Sequence, residues 1–328
     1  PAEILKAADR NMHSSNLLNN SLRMSEGKDG QFTLHQMASI GVAGRWDKLA
    51  LGYRKSTDNG ATWSPVKMVL ELDHALNDGA SMQGNMFQAS EGELIFVTDD
   101  DGDGISNTGS LVVSEDGGET WTRRGHSSNT PDEKRIAGLH ATVIEVADKN
   151  GDDQPELLAI ARDKGEYYDG KAPQSISYDR GHTWERSPSV FPSISSGKRF
   201  SLLRLRYSNP PAAYAGSSPI LFTGFADGKF MARNGDGSIE AIEGLFVAVS
   251  FDEGQTWEVP HRRVMSNLKG DETMVLHSAP WQRDDVISSN RGLEGGYMIA
   301  TQTPDGMIYL TDGNIIYTFN LAWILGEG

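Results

Sequence analysis

The chain has 328 residues, 38% hydrophobic and 23% charged, which is long enough to bury a sizeable core and is not the composition of a disordered segment. A formal net charge of −15 repels phosphate backbones, so nucleic acid is not an expected partner, and an anionic ligand would need a local basic patch. The absence of cysteine excludes a disulfide framework, thiolate zinc sites and cysteine nucleophiles, and no run of about 18 apolar residues is present to span a bilayer.

In chain order, the opening AEILKAADRNM reads as helical, and residues 1–20 are expected to form an N-terminal extension or the remnant of a preceding repeat unit. The start has no positive region followed by an apolar one; the lack of cysteine is compatible with a secreted or periplasmic bacterial protein as with a cytosolic one, and the expectation is the former, with a signal peptide that is not part of this chain. Strand patterns then follow in sets. FTLHQMASI and KLALGYRKS precede the motif STDNGATW at Ser56–Trp63, and GELIFVTD and GSLVVSED lead into SEDGGETW at Ser114–Trp121. HATVIEVA, ELLAIARD and QSISYD lead into SYDRGHTW at Ser177–Trp184, and RFSLLRLRYS, PILFTGFAD and GLFVAVSFD into SFDEGQTW at Ser250–Trp257. The last stretch, GGYMIATQTPDGMIYLTDGNIIYTFNLAW, reads as three more strands with a P-D-G turn.

The four motifs all obey S-x-D-x-G-x-T-W, and their aspartates Asp58, Asp116, Asp179 and Asp252 recur at spacings of 58, 63 and 73 residues. That period suits a four-stranded propeller blade with loop insertions, giving five or six blades in a single all-β domain spanning residues 1–328. Within each motif the aspartate is placed to accept backbone N–H groups across a tight turn, the glycine to supply φ > 0, and the tryptophan to pack between blades. These residues are read as structural.

The motifs, the closing IIYTFNLAWI and the order of the pieces resemble the sialidase (neuraminidase) superfamily of Asp-box, or BNR, propellers over roughly Phe32 to Ile324. Such propellers also serve other glycosidases, lyases and non-catalytic receptors, so function has to come from the site. The resemblance implies three carboxylate-binding arginines, a Tyr nucleophile activated by a Glu, and an Asp acid/base. Arg162, closing LLAIAR, lies where the family has an arginine, and Tyr297 in GGYMIATQ lies on the nucleophile position. His140 replaces the family Glu, DGSIEAIE carries no second arginine, and the start lacks an Arg-Ile-Pro motif; Arg23 in SLRMSE is a poor substitute.

Read from the residues themselves, Arg162 ends an apolar strand with Asp163 beside it as a bidentate orienting partner, against the alternative of a structural Arg–Asp pair. His140 opens a strand and suits acid–base work, against a satisfied core histidine. His277 in MVLHSAP is a further catalytic candidate, and Lys198 and Arg199 in GKRF are candidates for an acidic sugar. Two acidic loops suggest structural Ca²⁺: Asp99, Asp101, Asp103 and Asn107 in one, Asp148, Asn150, Asp152 and Glu156 in the other. The leading expectation is a glycoside hydrolase acting on a terminal acidic sugar, with carbohydrate as partner. The alternatives are a lyase in which His or Tyr abstracts a proton from a uronate, and a sugar-binding propeller without catalysis.

Overall fold

In the computed structural model, the described residues are 15–27, 30–42, 45–70, 85–100, 108–126, 130–148, 151, 153–163, 168–194, 198–206, 218–267, 296–311 and 316–326. They are nearly all strand, in successive antiparallel meanders. The first sheet runs β1 (Ser15–Glu26), β2 (Phe32–Val42), β3 (Arg45–Ser56), β4 (Lys67–Leu70) in chain order. The second runs β5 (Met86–Gln88), β6 (Leu94–Asp99), β7 (Thr108–Ser114), β8 (Thr122–Arg124), with β9 (Ile136–Ala137) also paired to β7. The third runs β10 (Leu139–Val146), β11 (Glu156–Arg162), β12 (Lys171–Ser177), β13 (Glu185–Pro192). The short β14 (Lys198–Arg199) pairs in parallel with β19 (Gly296–Tyr297). The fourth sheet runs β15 (Ser201–Arg204), β16 (Ile220–Arg233), β17 (Ile239–Ser250), β18 (Arg262–Asn267), and the fifth β20 (Ile299–Gln302), β21 (Ile308–Thr311), β22 (Ile316–Phe319). A short helix α1 (Leu321–Leu325) follows, capped by the Asn320 side chain and by Gly326 at φ 75°. The five meanders are the expected blades of an all-β propeller fold. No described helix is long and apolar enough to cross a membrane.

The chain separates into two compact units, residues 1–159 with 175–186 and residues 160–174 with 187–328. In the first, β6 and β7 are buried at every position, the mark of strands covered on both faces, and Met37, Leu51, Tyr53, Met86, Phe96 and Val112 form a core cluster. In the second, Phe191 stacks on Phe222 at 3.7 Å between ring centroids, and Phe246 and Trp257 pack around the pair. The N-terminal expectation differs in one respect: β1 begins at Ser15, inside the stretch read as an extension, because residues 15–26 pair along β2. The helical reading of AEILKAADRNM falls outside the described residues.

Each S-x-D-x-G-x-T-W motif forms the hairpin between the third and fourth strands of its sheet. Asp58 accepts the Thr62 N–H and hydroxyl at 2.8 and 2.6 Å and the Ser56 hydroxyl at 2.7 Å, while Ser56 Oγ accepts the Gly60 N–H at 2.8 Å. The same bonds recur at Asp116, Asp179 and Asp252. The four glycines have φ of 77–92°, as expected. The residue before each is left-handed too: Asn59, Gly117, Arg180 and Glu253. A bulky side chain in that region costs on the order of 1 kcal/mol. Arg180 and Glu253 offset it by ion-pairing with Glu93 and Arg204.

The motif tryptophans also do structural work. Trp121 meets Tyr53 of β3 edge-on at 5.0 Å, and Trp184 is 1% exposed against Gly125. Trp184→Ala is expected to destabilise the chain by roughly 3–5 kcal/mol, the usual cost of deleting a buried aromatic, read as a lower denaturant midpoint. An unchanged midpoint would contradict the packing role.

Tyr53 also belongs to a buried polar chain. His35, 1% exposed, bonds Tyr53 OH through Nδ1 at 2.7 Å and Ser25 Oγ through Nε2 at 2.6 Å, so one ring nitrogen donates and the other accepts. Burial, aided by the Lys55 charge, pushes the imidazole down to about 4 from its ordinary 6.5. A histidine held neutral in this way contributes stability that is intact above pH 6.5 and is lost as pH falls toward 4, where the unfolded chain takes up the proton first. The limit of the effect is about 3 kcal/mol. The Tm is therefore expected to fall between pH 6.5 and 4 with a component that His35→Gln removes; parallel Tm profiles for the two proteins would refute it.

Candidate functional site

β11 (ELLAIAR) is buried along its length and ends, within the second unit, at Arg162. Arg162 is 8% exposed; Nη1 donates to the Lys198 carbonyl at 3.2 Å, and Nε is buried without a hydrogen-bond partner among the described residues. The expected orienting pair with Asp163 does not form. Successive side chains leave an extended backbone on opposite sides, and Asp163 accepts from the Ser193 hydroxyl instead.

The β14–β19 pairing supplies the rest of this neighbourhood, placing Lys198 opposite Gly296 and Arg199 opposite Tyr297. Lys198 Nζ lies 5.0 Å from the Phe225 ring centroid, Arg199 Nη2 donates to the Met298 carbonyl at 3.2 Å, and Tyr297 is 40% exposed. Four sequence candidates from distant stretches are thus joined: Arg162 through the Lys198 carbonyl, and Arg199 with Tyr297 through strand pairing. No ion pair neutralises Arg162 or Lys198 among the described residues, so an anion arriving here meets donors that are not already taken.

In the first unit, His140 opens β10 just after Gly138, with a left-handed φ of 54°. Asp99, at the end of β6, holds it twice: Oδ1 accepts the His140 backbone N–H at 2.7 Å and Oδ2 the Nδ1–H at 2.5 Å. The carboxylate is 1% exposed and the histidine 6%. Because a carboxylate oxygen only accepts, it fixes the Nδ1–H tautomer. Asp99, expected as a calcium ligand, turns its oxygens inward to a histidine 41 residues away. The next residue was missed altogether. Asp100 is fully buried with Arg123 Nη2 at 2.5 Å, Ser110 Oγ at 2.6 Å and His126 Nδ1 at 3.2 Å. Burial alone would raise its carboxyl, but the His126 contact and the Arg123 charge outweigh it and hold the group below the usual range. The signal was available: an aspartate run at a strand end and two arginines with a histidine in TRRGH.

In the second acidic loop the structure describes Asp148 and Glu156. Asp148 accepts the N–H groups of Gly151 and Asp153, each at 2.8 Å, and Glu156 is buried at the start of β11. Among the described residues no group of three acidic or histidine side chains gathers around a point. Asp101, Asp103, Asn107, Asn150, Asp152 and the catalytic candidate His277 lie outside the described residues. A cleft of about 530 Å³ on the motif side of the first unit is walled by Glu93, Arg124 and Arg180, but these charges pair with one another.

The meanders with their repeated third-hairpin motifs define an all-β protein of the sialidase-like propeller fold. Residues 2–310 match the model of the BNR repeat-like domain, and the chain belongs to that family. Its structure is similar to the K499G mutant of NanB sialidase from Streptococcus pneumoniae, with a TM-score of 0.52 and 13% identity over 96% of this chain and 57% of that one. It is also similar to the intramolecular trans-sialidase from Ruminococcus gnavus solved with oseltamivir carboxylate, with a TM-score of 0.53 and 17% identity over 94% and 60%. The leech intramolecular trans-sialidase matches with a TM-score of 0.51 and 14% identity over 95% and 43%. At these identities the likeness establishes the fold, and the chain spans 43–60% of the length of these three structures. The search of curated proteins gives no match.

The His140–Asp99 geometry makes a stability prediction independent of any substrate. Asp99→Ala leaves a buried backbone N–H and a ring N–H without their acceptor, and is expected to cost roughly 2–4 kcal/mol, measured by chemical denaturation. A cost below about 0.5 kcal/mol, the scale of an ordinary surface substitution, would show that the pair does not hold His140 in place.

Proposed function

We propose that this protein is a carbohydrate-active enzyme of the sialidase type, a glycoside hydrolase acting outside the cytoplasm on a terminal acidic sugar. The observation that carries this reading is Arg162, a buried guanidinium with an unpartnered Nε and, among the described residues, no ion pair, bonded to the carbonyl of Lys198 on the short strand that pairs Arg199 with the exposed Tyr297. A sugar carboxylate accepting from the free edge of Arg162 would satisfy a donor that the fold leaves open. Lys198 and Arg199 add positive potential around it in a chain of net charge −15. The Ruminococcus gnavus neighbour holds a carboxylate-bearing ligand, which is consistent with an acidic substrate.

In this reading Arg162 anchors the substrate and Tyr297 is the nucleophile: its phenolic oxygen bonds to the anomeric carbon as the bond to the leaving oxygen breaks, and water later releases the sugar. His140, with Asp99 fixing its tautomer, is the acid–base candidate of the first unit. The same dyad favours a second reading, a polysaccharide lyase. A histidine oriented by a buried carboxylate is suited to removing the C5 proton of a uronate, with the C4–O bond breaking and an alkene forming.

A turnover screen with fluorogenic sialosides, uronides and uronate-containing polysaccharides separates these readings. Hydrolysis releases the fluorophore, a lyase gives an unsaturated product absorbing in the near ultraviolet, and saturable binding without turnover identifies a sugar-binding propeller. With an active substrate, Arg162→Ala is expected to lower kcat/KM on the order of 10²-fold, and Arg162→Lys to restore little of it, since a point charge does not reproduce the planar fork. His140→Ala is expected to reduce kcat with little change in binding. Full activity in Arg162→Ala would overturn the assignment.

A further inference from the structure

The fourth sheet carries a second pair of arginines whose charges the fold does not balance. At the single parallel contact between β16 and β18, Arg233 stands opposite Arg263. The neighbouring Arg262 leaves the strand on the other side and is fully used: Nε and Nη2 donate to the Trp257 carbonyl at 2.9 and 2.7 Å, Nη1 to the Met231 carbonyl at 3.3 Å, and its guanidinium lies 4.6 Å from the Phe230 ring centroid. Arg262 is a structural residue.

Arg263 is the opposite case. It is 6% exposed, its guanidinium lies 4.8 Å from the ring centroid of Trp323 in α1, and its Nε is buried with no hydrogen-bond partner. Among the described residues it makes no hydrogen bond and no ion pair. Arg233 is half-buried; one nitrogen donates to the Ile324 carbonyl at the end of α1, and its Nε is likewise buried and unpartnered. The carboxylate nearest in effect is Asp236, which is exposed and accepts from the Ser238 N–H and hydroxyl at 2.9 and 2.6 Å rather than from either arginine. Burial and the Arg233 charge together pull the Arg263 guanidinium below its ordinary value, and Asp236 only partly opposes them.

Two adjacent guanidiniums out of water repel each other and lose their hydration, and a buried cation without a partner is costly. Other arginines of comparable burial have carboxylates, Arg124 pairing with Glu93 and Arg135 with Asp132, and Arg162 is the exception noted above. We propose that Arg233 and Arg263, backed by the Trp323 ring, form an oxyanion-binding site that takes a carboxylate or sulfate group. The oxyanion accepts from the unpartnered Nε donors, neutralises the pair, and enters from the side of half-buried Arg233. Trp323 fixes the plane of Arg263, so the donor fork is set before the ligand arrives. The site lies apart in sequence from Arg162 and does not depend on the catalytic reading.

Thermal shift and titration calorimetry on the full chain test it, with inorganic sulfate, acetate and glucuronate as probes against chloride at matched ionic strength. The expected result is a saturable rise in Tm with at least one of the three oxyanions and none beyond ionic strength with chloride. Glucuronate binding alongside the others assigns the site to a sugar-borne group, and binding of sulfate or acetate alone assigns it to a free ion. Arg263→Met removes an unbalanced charge from an apolar setting, so it is expected to fold with a Tm at or above that of the parent while its affinity for the oxyanion falls at least about tenfold, the loss of one charge-assisted bond. Arg263→Lys keeps the charge without the fork and is expected to bind several-fold more weakly. The absence of any oxyanion-specific response in the parent chain, or an undiminished response in both Arg263 variants, would overturn the proposal.

Discussion

The saturated carboxylate at the turn between third and fourth strands is the interaction on which the fold rests. In each motif the aspartate takes a backbone N–H and a hydroxyl from the threonine four residues on, and a second hydroxyl from the serine two residues back. The bonds from Thr62 and Ser56 hold the Asp58 carboxyl down at about 2, and those at Asp116 do the same. At Asp179 burial works in the other direction, yet the Thr183 bonds still keep the group low. A hairpin closed by charge-assisted bonds does not need its loop to be buried, so the outer strand is secured while the tryptophan of the same motif turns inward.

That division of labour leaves the strands free to be apolar throughout. β6, β7 and β11 have no exposed position, and hence no room for a functional side chain except where they end. The candidate functional residues lie at such ends: Asp99 closes β6, Arg162 closes β11, His140 is the second residue of β10 and Tyr297 closes β19. At two of these ends the backbone or the charge is held away from its lowest-energy state. His140 is left-handed and Arg162 lacks a counter-charge, whereas the structural histidine His35 and the structural arginine Arg262 are satisfied on every side the structure shows. The proposed ligand role of Arg162 and His140 would put such local cost to use.

How much of this was legible in the sequence follows the range of the interactions. The hairpin motifs are local, with every bond inside eight residues, so a one-line pattern specifies both the turn and the strand that follows. Strand positions followed from short apolar runs bounded by turn residues for the same reason. The second left-handed residue of each turn was not legible, since arginine and glutamate give no local sign of it; Arg180 and Glu253 are held there by Glu93 and Arg204, 87 and 49 residues away. Side-chain partnership was the least legible. Asp99 sits in an acidic run that reads as a cation loop, but its partner is His140, and Asp163 beside Arg162 belongs to Ser193. Sequence adjacency along a strand argues against contact, because neighbours face opposite ways.

Charge distribution ties these points together. A chain with 45 acidic and 30 basic residues has carboxylates to spare, and pairing every buried arginine would be simple if stability alone shaped the sequence. Most are paired or bonded to carbonyls. Arg162, Arg233 and Arg263 keep buried Nε donors open despite that excess. In an acidic protein, guanidiniums without a paired carboxylate concentrate positive potential into small regions, which steers an anion there rather than over the surface at large. The surrounding negative charge sharpens the selection, since a highly charged polyanion is repelled by the whole chain while a single carboxylate or sulfate on an otherwise neutral sugar is repelled far less. On the function proposed above, a sugar bearing one acidic group is the ligand chemistry that fits both the open donors and the long-range field.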